Sequence, residues 1–243
     1  MYANIDDLVG FTLNVKELLK RDGVFVIQTG YHPDQFQNFC FDYIYHEHFS
    51  YFSVRAIKKL LERCGLEVIH VETNSLKGGS LRVYAKRRDG KWGVDVSVKT
   101  MELHETDNQV GLPEKYREFA GVLLRKKKTL LDLLEQVTLE GSAIVGYGAS
   151  HSTTTLVHHF GLGKYLQYIV DDNKGKVDSY SPGFGLKVKS PNVLYEDRPE
   201  YVVILAWQHS VAILERSREL FRLGIKIILP LPTLKILTKY EDI

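Results

Sequence analysis

Apolar and polar residues alternate with different periods along the chain, and each period predicts an element. In residues 5–20 the apolar side chains recur at the spacing of a helix. Asp22 and Gly23 end that helix, and Val24–Gln28 predicts a short buried strand. Residues 30–52 have no regular period but many aromatic side chains, which is typical of an ordered functional loop.

A helix followed by a hairpin comes next. Ser53–Gly65 is amphipathic, with Ser53 placed to cap its first turn and Gly65 placed for a left-handed end. Leu66–Thr73 and Ser80–Lys86 predict two strands joined by a turn. The first strand of the chain implies neighbouring strands that no preceding residues supply, so we expect an incomplete sheet.

Two further stretches separate this region from the second half of the chain. Residues 87–113 are polar and poorly patterned, with an extended piece near Val94–Val98, and predict a linker. Glu114–Glu140 predicts a long helix, because its apolar residues follow one stripe.

Strands and helices alternate in the second half, which predicts a parallel, Rossmann-like sheet. The predicted strands are Ala143–Gly146, Leu166–Asp171, one within Gly183–Val188, Tyr201–Trp207 and the final strand Ile225–Leu229. The predicted helices are Ser152–Phe160 and Val211–Leu223.

Composition narrows the class of protein. The chain has 243 residues and a net charge of +2, which gives no reason to expect nucleic acid or an acidic membrane as a partner. Two cysteines are too few for a disulfide framework or a cysteine zinc site, so a reducing, cytoplasmic setting is expected. The acidic N-terminus does not resemble a signal peptide, and no apolar run is long enough to cross a bilayer.

The segment Phe41–Phe52, FDYIYHEHFSYF, carries the strongest candidate chemistry, and we call it the aromatic segment. His48 is a candidate general base, because an imidazole accepts a proton near neutral pH. Glu47 can fix its tautomer, and Tyr45 can donate to a developing oxyanion. A purely structural aromatic plug is an equal alternative from composition alone. A zinc site at His46 and His48 lacks further ligands, so no metal is expected.

A second candidate site is the turn Gly146–Ser150, GYGAS, which follows a strand and opens a helix. Glycine lets the backbone approach a phosphate, and the helix N-terminus supplies N–H groups. Asp171 and Asp172 end the next strand, where a ribose-binding acid would lie. The third glycine of the dinucleotide fingerprint is absent, so the turn favours a nucleotide but not NAD. Trp207 follows a later strand at the same rim, where it either contacts a ligand or caps the core.

These motifs together resemble the sugar C-methyltransferases, which use S-adenosylmethionine to methylate nucleotide-linked keto-sugars. Tyr45–Phe49 resembles the tyrosine-x-glutamate-histidine-phenylalanine catalytic segment of that family, and Gly78–Arg82 its glycine-rich entry to the last strand of the methyltransferase domain. The motifs of its C-terminal domain follow in order at Gly146–Ala149, Asp171–Asn173, Ser181–Gly183 and Leu205–Trp207. At Ser152–Thr154 this sequence departs from a lysine-glycine-asparagine of many relatives, which removes a natural phosphate or sugar contact.

The resemblance implies roles for these residues. His48 is the base that removes a proton beside a keto group, and Glu47 and Tyr45 orient the sugar or stabilise the oxyanion. The implied substrate-binding residues are Gly146, Tyr147, Gly148, Ala149, Ser150, Asp171, Asp172, Asn173, Pro182, Gly183 and Trp207.

The implied fold class is α/β: the C-terminal part of a class I methyltransferase sheet, followed by a second Rossmann-like domain. We expect residues 1–88 to be a methyltransferase remnant, 89–140 a linker with the long helix, and 141–243 a nucleotide-sugar domain. The motif that binds S-adenosylmethionine is absent, so a truncated or split member is expected, with a separate chain as one source of the missing half. The alternatives are a non-catalytic nucleotide-sugar-binding module, an inactive gene fragment and a nicotinamide-dependent dehydrogenase.

Overall fold

The computed structural model describes residues 1–242, which form two compact units. The N-terminal unit contains residues 1–40 and 46–119, and the C-terminal unit contains residues 41–45 and those from 120 on. The first five residues of the aromatic segment, 41–45, therefore belong to a different unit from the residues on either side of them. Within residues 1–242, no helix is both long and apolar enough to span a membrane.

The N-terminal unit is built on a three-stranded sheet in the order β1-β3-β2, with β3 antiparallel to both neighbours. The strands are β1 Val24–Gly30, β2 Leu66–Asn74 and β3 Ser80–Arg87. The helices are α1 Leu8–Leu18, α2 His32–Gln37, α3 Val54–Arg63 and α4 Val96–Asp107. The predicted hairpin is confirmed, as is α3, whose N-cap Ser53 accepts a hydrogen bond from Ala56 N.

Two predictions for this unit are wrong. Strand β1 is not buried on both faces, since Val26 is exposed and Ile27 faces the core. The stretch near Val94–Val98 is not extended but enters α4, which Asp95 caps by accepting a hydrogen bond from Ser97 N. The helical pattern of α4 is blurred because Val96 and Leu103 are exposed on its outer side.

A buried carboxylate on α4 ties this helix to the start of α3. Glu105 is fully buried and accepts hydrogen bonds from Tyr31 OH (3.1 Å), from the backbone N–H groups of Val54 and Arg55, and from Arg55 Nε (3.3 Å). A carboxylate is stabilised at a helix N-terminus by the unpaired N–H groups and the helix dipole. Glu105 thereby fixes the backbone on which the aromatic segment ends.

The C-terminal unit is an open α/β sheet in the order β6-β5-β4-β7-β8-β9, parallel except for β9. Its strands are β4 Ile144–Tyr147, β5 Ile169–Val170, β6 Val188–Lys189, β7 Tyr201–Ile204, β8 Lys226–Leu229 and β9 Lys235–Leu237. Its helices are α6 His151–Phe160, α7 Val193–Asp197, α8 Ser210–Arg216 and α9 Arg218–Arg222, after the long α5 Pro113–Leu139, which begins in the N-terminal unit. The α/β, Rossmann-like prediction is confirmed.

The details of this unit differ from the prediction in three places. The final strand is β9, which pairs antiparallel with β8. The helix predicted over Val211–Leu223 is two helices that meet at Ser217. The short helix α7 has no predicted counterpart. The strand order reverses between β4 and β7, and in open α/β sheets the crevice beyond such a point is where ligands bind.

Candidate functional site

The part of the aromatic segment that carries His48 is anchored in the N-terminal unit. Ala3 O accepts hydrogen bonds from Phe49 N (2.9 Å) and Ser50 N (3.2 Å). At the end of the segment, Phe52 O accepts from His32 N (2.9 Å). These backbone bonds hold the segment on both sides of Tyr51, whose ring lies 5.5 Å from the His48 ring.

His48 is half-buried, and its surroundings favour the neutral imidazole. Burial lowers the pKa of His48, and the positive charges of the N-terminus and Lys77 act in the same direction, whereas Glu47 opposes them. A neutral imidazole can accept a proton near pH 7. Glu47 Oε1 lies 3.8 Å from Nε2 of His46, and both side chains are exposed.

Tyr45 and the residues before it pack on α6 of the C-terminal unit. The Tyr45 ring lies 5.7 Å from that of His151, the first residue of α6. Ile44 O accepts a hydrogen bond from Thr155 Oγ1 (2.8 Å). Phe41 stacks on Phe160 at the other end of the helix, with ring centroids 5.3 Å apart.

Asp42 is the polar centre of this contact and is fully buried. Its carboxylate accepts hydrogen bonds from Trp207 Nε1 (3.0 Å) and Gln208 Nε2 (2.7 Å), both just beyond the carboxyl end of β7. Burial raises the pKa of Asp42 to about 6, although both hydrogen bonds favour the charged form. Trp207, predicted to contact substrate, thus has its indole N–H occupied by a residue of the chain itself.

The glycine-rich turn lies at the point where the strand order reverses. Gly148 has φ +105, and a Cβ there would lie 2.4 Å from the Cβ of Ala206. Only glycine fits, because this φ and this close approach both exclude a side chain. Gly146 lies inside β4, where a Cβ would lie 2.5 Å from Leu205 Cδ1, so a larger residue would require the Leu205 side chain to move. Both glycines are therefore explained by packing between β4 and the end of β7.

The two aspartates after β5 serve the turn and the neighbouring strand. Asp171 accepts hydrogen bonds from Ala149 N (2.7 Å) and Asn173 N (2.8 Å) and pairs with Lys176 Nζ (3.3 Å). An N–H that a phosphate could have used is therefore bonded to a carboxylate.

Asp172 has a different set of partners. It accepts a hydrogen bond from Tyr147 OH (2.9 Å) and pairs with Arg216 (3.3 Å). Burial raises the pKa of Tyr147 to about 12, and the bond to Asp172 adds to the effect. Tyr147 is thus held as a neutral donor to this carboxylate.

A cavity of about 190 Å³ lies beside α6 in the C-terminal unit, and we call it the hydroxyl cavity. Its walls carry many side-chain hydroxyl groups: Ser150, Thr153, Thr154, Ser179, Tyr180 and Ser181. Lys176 and His158 add basic groups. Hydroxyls that donate and accept hydrogen bonds, with a cation beside them, suit a polyhydroxylated or phosphorylated ligand.

This cavity contains some of the predicted substrate residues and not others. Those that line it are Ala149, Ser150 and Pro182. Those that do not line it are Gly146, Tyr147, Gly148, Asp171, Asp172, Asn173, Gly183 and Trp207. Sequence reasoning missed Lys176 and Ser179, which follow β5 on a loop with no recognisable motif. Thr153 and Thr154 were signalled by the departure from the family pattern at those positions.

Within residues 1–242, no turn from a strand to a helix matches the glycine-rich cofactor turn expected of a domain that binds S-adenosylmethionine. The glycine-rich turn between a strand and a helix is Gly146–Ser150, where Asp171 already binds the Ala149 N–H. In the N-terminal unit β1 leads into α2 through Tyr31, with no glycine-rich turn. Within the same described residues, no group of three or more His, Cys, Asp or Glu side chains is placed to hold a metal ion.

Comparison with known proteins identifies the same family that the sequence motifs resemble. The family described as the C-methyltransferase C-terminal domain matches residues 75–232. The C-methyltransferase NovU of Streptomyces niveus is 30% identical over 238 residues, which cover 98% of this chain and 57% of that protein. The chain thus spans little more than half the length of this relative. With two thirds of its length matched by the family, the chain belongs to the C-methyltransferases that carry this C-terminal domain.

Proposed function

We propose that the chain is part of an S-adenosylmethionine-dependent C-methyltransferase that acts on a nucleotide-linked keto-sugar. The observation that carries the proposal is His48, a half-buried histidine with a lowered pKa on a segment whose backbone is held at Phe49, Ser50 and Phe52. Family membership supplies the reaction class, and methyl transfer to carbon requires a base that creates a nucleophilic carbon.

The chain's own contribution is the proton transfer. The C–H bond beside the keto group breaks, its proton moves to the neutral imidazole of His48, and the electron pair moves toward the carbonyl oxygen. General-base catalysis of this kind contributes about 10²–10⁴-fold in rate. Glu47 and Tyr45 are proposed to orient the sugar or stabilise the oxyanion. S-adenosylmethionine would supply the methyl group from residues outside 1–243, in the same protein or in a separate chain.

The proposed division of labour follows the domains. Residues 1–88 are assigned to the methyltransferase domain, 89–140 to the connection and 141–243 to binding of the nucleotide-sugar. The hydroxyl cavity supports this assignment, because it offers the sugar hydroxyls and phosphates both donors and a cation at Lys176.

Replacing Thr154 by valine is expected to weaken binding of a nucleotide-sugar about 3- to 10-fold, because one hydrogen bond of roughly 0.5–1.5 kcal/mol is lost without a change in shape. Calorimetric titration with thymidine- or uridine-diphosphate glucose measures the effect. Thr129→Val is the matched control, since that hydroxyl is exposed and bonded to its own helix. If the wild type, Thr154→Val and Thr129→Val bind the nucleotide-sugar with equal affinity, the hydroxyl cavity is not the binding site.

Replacing His48 by alanine is expected to reduce methyl transfer at least about 10²-fold when the chain is assembled with a segment that binds S-adenosylmethionine. The loss should appear in kcat and in exchange of the substrate's acidic proton with deuterated solvent. His46→Ala, an exposed neighbour, is the control. Normal turnover by His48→Ala would refute the base. Binding of the nucleotide-sugar with neither proton exchange nor methyl transfer in the assembled wild-type protein would favour a non-catalytic binding module.

A further inference from the structure

The N-terminal unit contains a cavity that the proton transfer does not use. It has a volume of about 200 Å³ and lies beside α2, the helix that follows β1. We call it the aromatic-amide cavity after its principal lining residues, which are His32, Phe36, Gln37, Asn108, Gln109 and Tyr116. Cavities that enclose a drug-sized ligand measure about 300–1,000 Å³, so this one fits a single ring system.

Flat rings form one wall of this cavity. His32 and Tyr116 are nearly parallel, with an interplanar angle of 11° and centroids 5.8 Å apart, and His32 Nε2 lies 3.2 Å from Tyr116 OH. Phe36 meets Tyr116 edge-on at 5.0 Å. Such rings stack on any planar heterocycle, because each base offers a π-face.

Amide side chains face these rings from the loop between α4 and α5. Gln109 and Asn108 on that loop, and Gln37 at the end of α2, each offer a donor and an acceptor. Hydrogen-bonding edges beside a stacking wall are the combination that reads a base.

The cavity is preformed. Arg55 NH2 donates to Val110 O (2.5 Å), and Asn108 Nδ2 donates to His104 O (2.8 Å), so the loop is fixed to α3 and α4. His32 is held through its backbone N–H, which donates to Phe52 O. A site whose walls are already ordered loses little conformational entropy when a ligand binds.

Ring contacts join this cavity to the candidate base. The His32 ring lies 5.8 Å from that of Tyr51, and Tyr51 lies 5.5 Å from His48, all within the N-terminal unit. A ligand bound against His32 would therefore be anchored two ring contacts away from the group that takes the proton.

We propose that the aromatic-amide cavity binds the planar heterocyclic base of a nucleoside. The site lies in the other unit from the hydroxyl cavity, and the two sources of a base named next rest on the proposed function. Two sources carry this chemistry: the pyrimidine nucleotide of an acceptor and the adenine of the methyl donor.

The test is NMR titration of the full chain, with saturation transfer to the ligand and ¹³C-resolved imidazole signals of His32. The probes are thymidine and uridine 5′-monophosphate for the first source, S-adenosylhomocysteine for the second, and ribose 5-phosphate as the control without a base. We expect base protons to receive saturation, His32 signals to shift, and ribose 5-phosphate to leave them unchanged. Pyrimidine-only or adenine-only binding supports the proposal and identifies the source.

Tyr116→Leu keeps an apolar side chain but removes the stacking ring, and should weaken binding at least about fivefold. Trp92→Leu is the matched control, because Trp92 is an aromatic of the same unit with 45% exposure against 39% for Tyr116 and does not line the cavity. Gln109→Ala is a second variant on an exposed loop, for use if Tyr116→Leu does not fold. No binding of any base, equal binding of ribose 5-phosphate, or affinities unchanged in both cavity variants would overturn the proposal.

Discussion

Glu105→Ala should lower the free energy of unfolding of the N-terminal unit by about 3–5 kcal/mol, the cost of removing one partner from a buried charged network. The variant leaves Tyr31 OH and the first N–H groups of α3 without their acceptor. Each buried group left unsatisfied costs about 1–3 kcal/mol. Urea unfolding followed by circular dichroism measures the loss, and hydrogen exchange at the amides of Val54 and Arg55 locates it.

The control for this prediction is Glu102→Ala on the same helix. Glu102 pairs with Lys58 at 2.8 Å, and both side chains are partly exposed, so the expected loss is at most about 1 kcal/mol. Glu105→Gln should lie between the two variants, because its amide oxygen still accepts. If both alanine variants lose the same stability, Glu105 does not organise the start of α3.

Asp42→Asn should abolish a pH dependence in the stability of the C-terminal unit. The folded pKa of Asp42 is about 6, above its ordinary value of 3.8. Between these values the folded state binds more protons than the unfolded state, so the free energy of unfolding decreases as pH rises and stops decreasing above about pH 6. The rise in the pKa of Asp42 from 3.8 to about 6 corresponds to about 3 kcal/mol in the free energy of unfolding. The free energy of unfolding of Asp42→Asn should equal that of the wild type near pH 4 and exceed it near pH 7.5.

Tryptophan fluorescence isolates this effect. The chain has two tryptophans, so a Trp92→Phe background leaves Trp207, whose indole binds Asp42, as the reporter of urea unfolding. The control is Asp132→Asn, which replaces an exposed aspartate paired with Lys128. Its free energy of unfolding should change with pH with the same slope as in the wild type. Identical slopes for Asp42→Asn and the wild type would show that Asp42 is charged in the folded protein throughout this range.

Local signals made part of the fold predictable. Ser53 and Gly65 bound α3 because capping depends on residues within one turn. The period of α4 was hidden because Glu105, a charged residue, takes a core position while Leu103 is exposed. Burial of a carboxylate depends on Tyr31 and on the start of α3, and no periodicity within α4 contains that information.

The candidate site was predictable in its residue types more than in its contacts. Composition identified His48, and its lowered pKa suits a base. The sequence could not show that the Glu47 carboxylate lies 3.8 Å from His46 Nε2. Nor could it show that the Asp171 carboxylate accepts the hydrogen bond of the Ala149 N–H. The partners of Asp42 were equally hidden, since they lie far along the chain.

The assignment of residues 41–45 to the C-terminal unit has a consequence for folding during synthesis. Asp42 and Trp207 are separated by 165 residues, so their contact closes one of the longest loops that the chain offers. At about 5–20 residues per second, a ribosome makes Trp207 roughly 10–30 s after Asp42. Asp42 lacks its hydrogen-bond donors during this interval, while β1, β2 and β3 on either side of it can already pair. Docking of this pentapeptide is therefore a late event, because it requires both α6 and the end of β7.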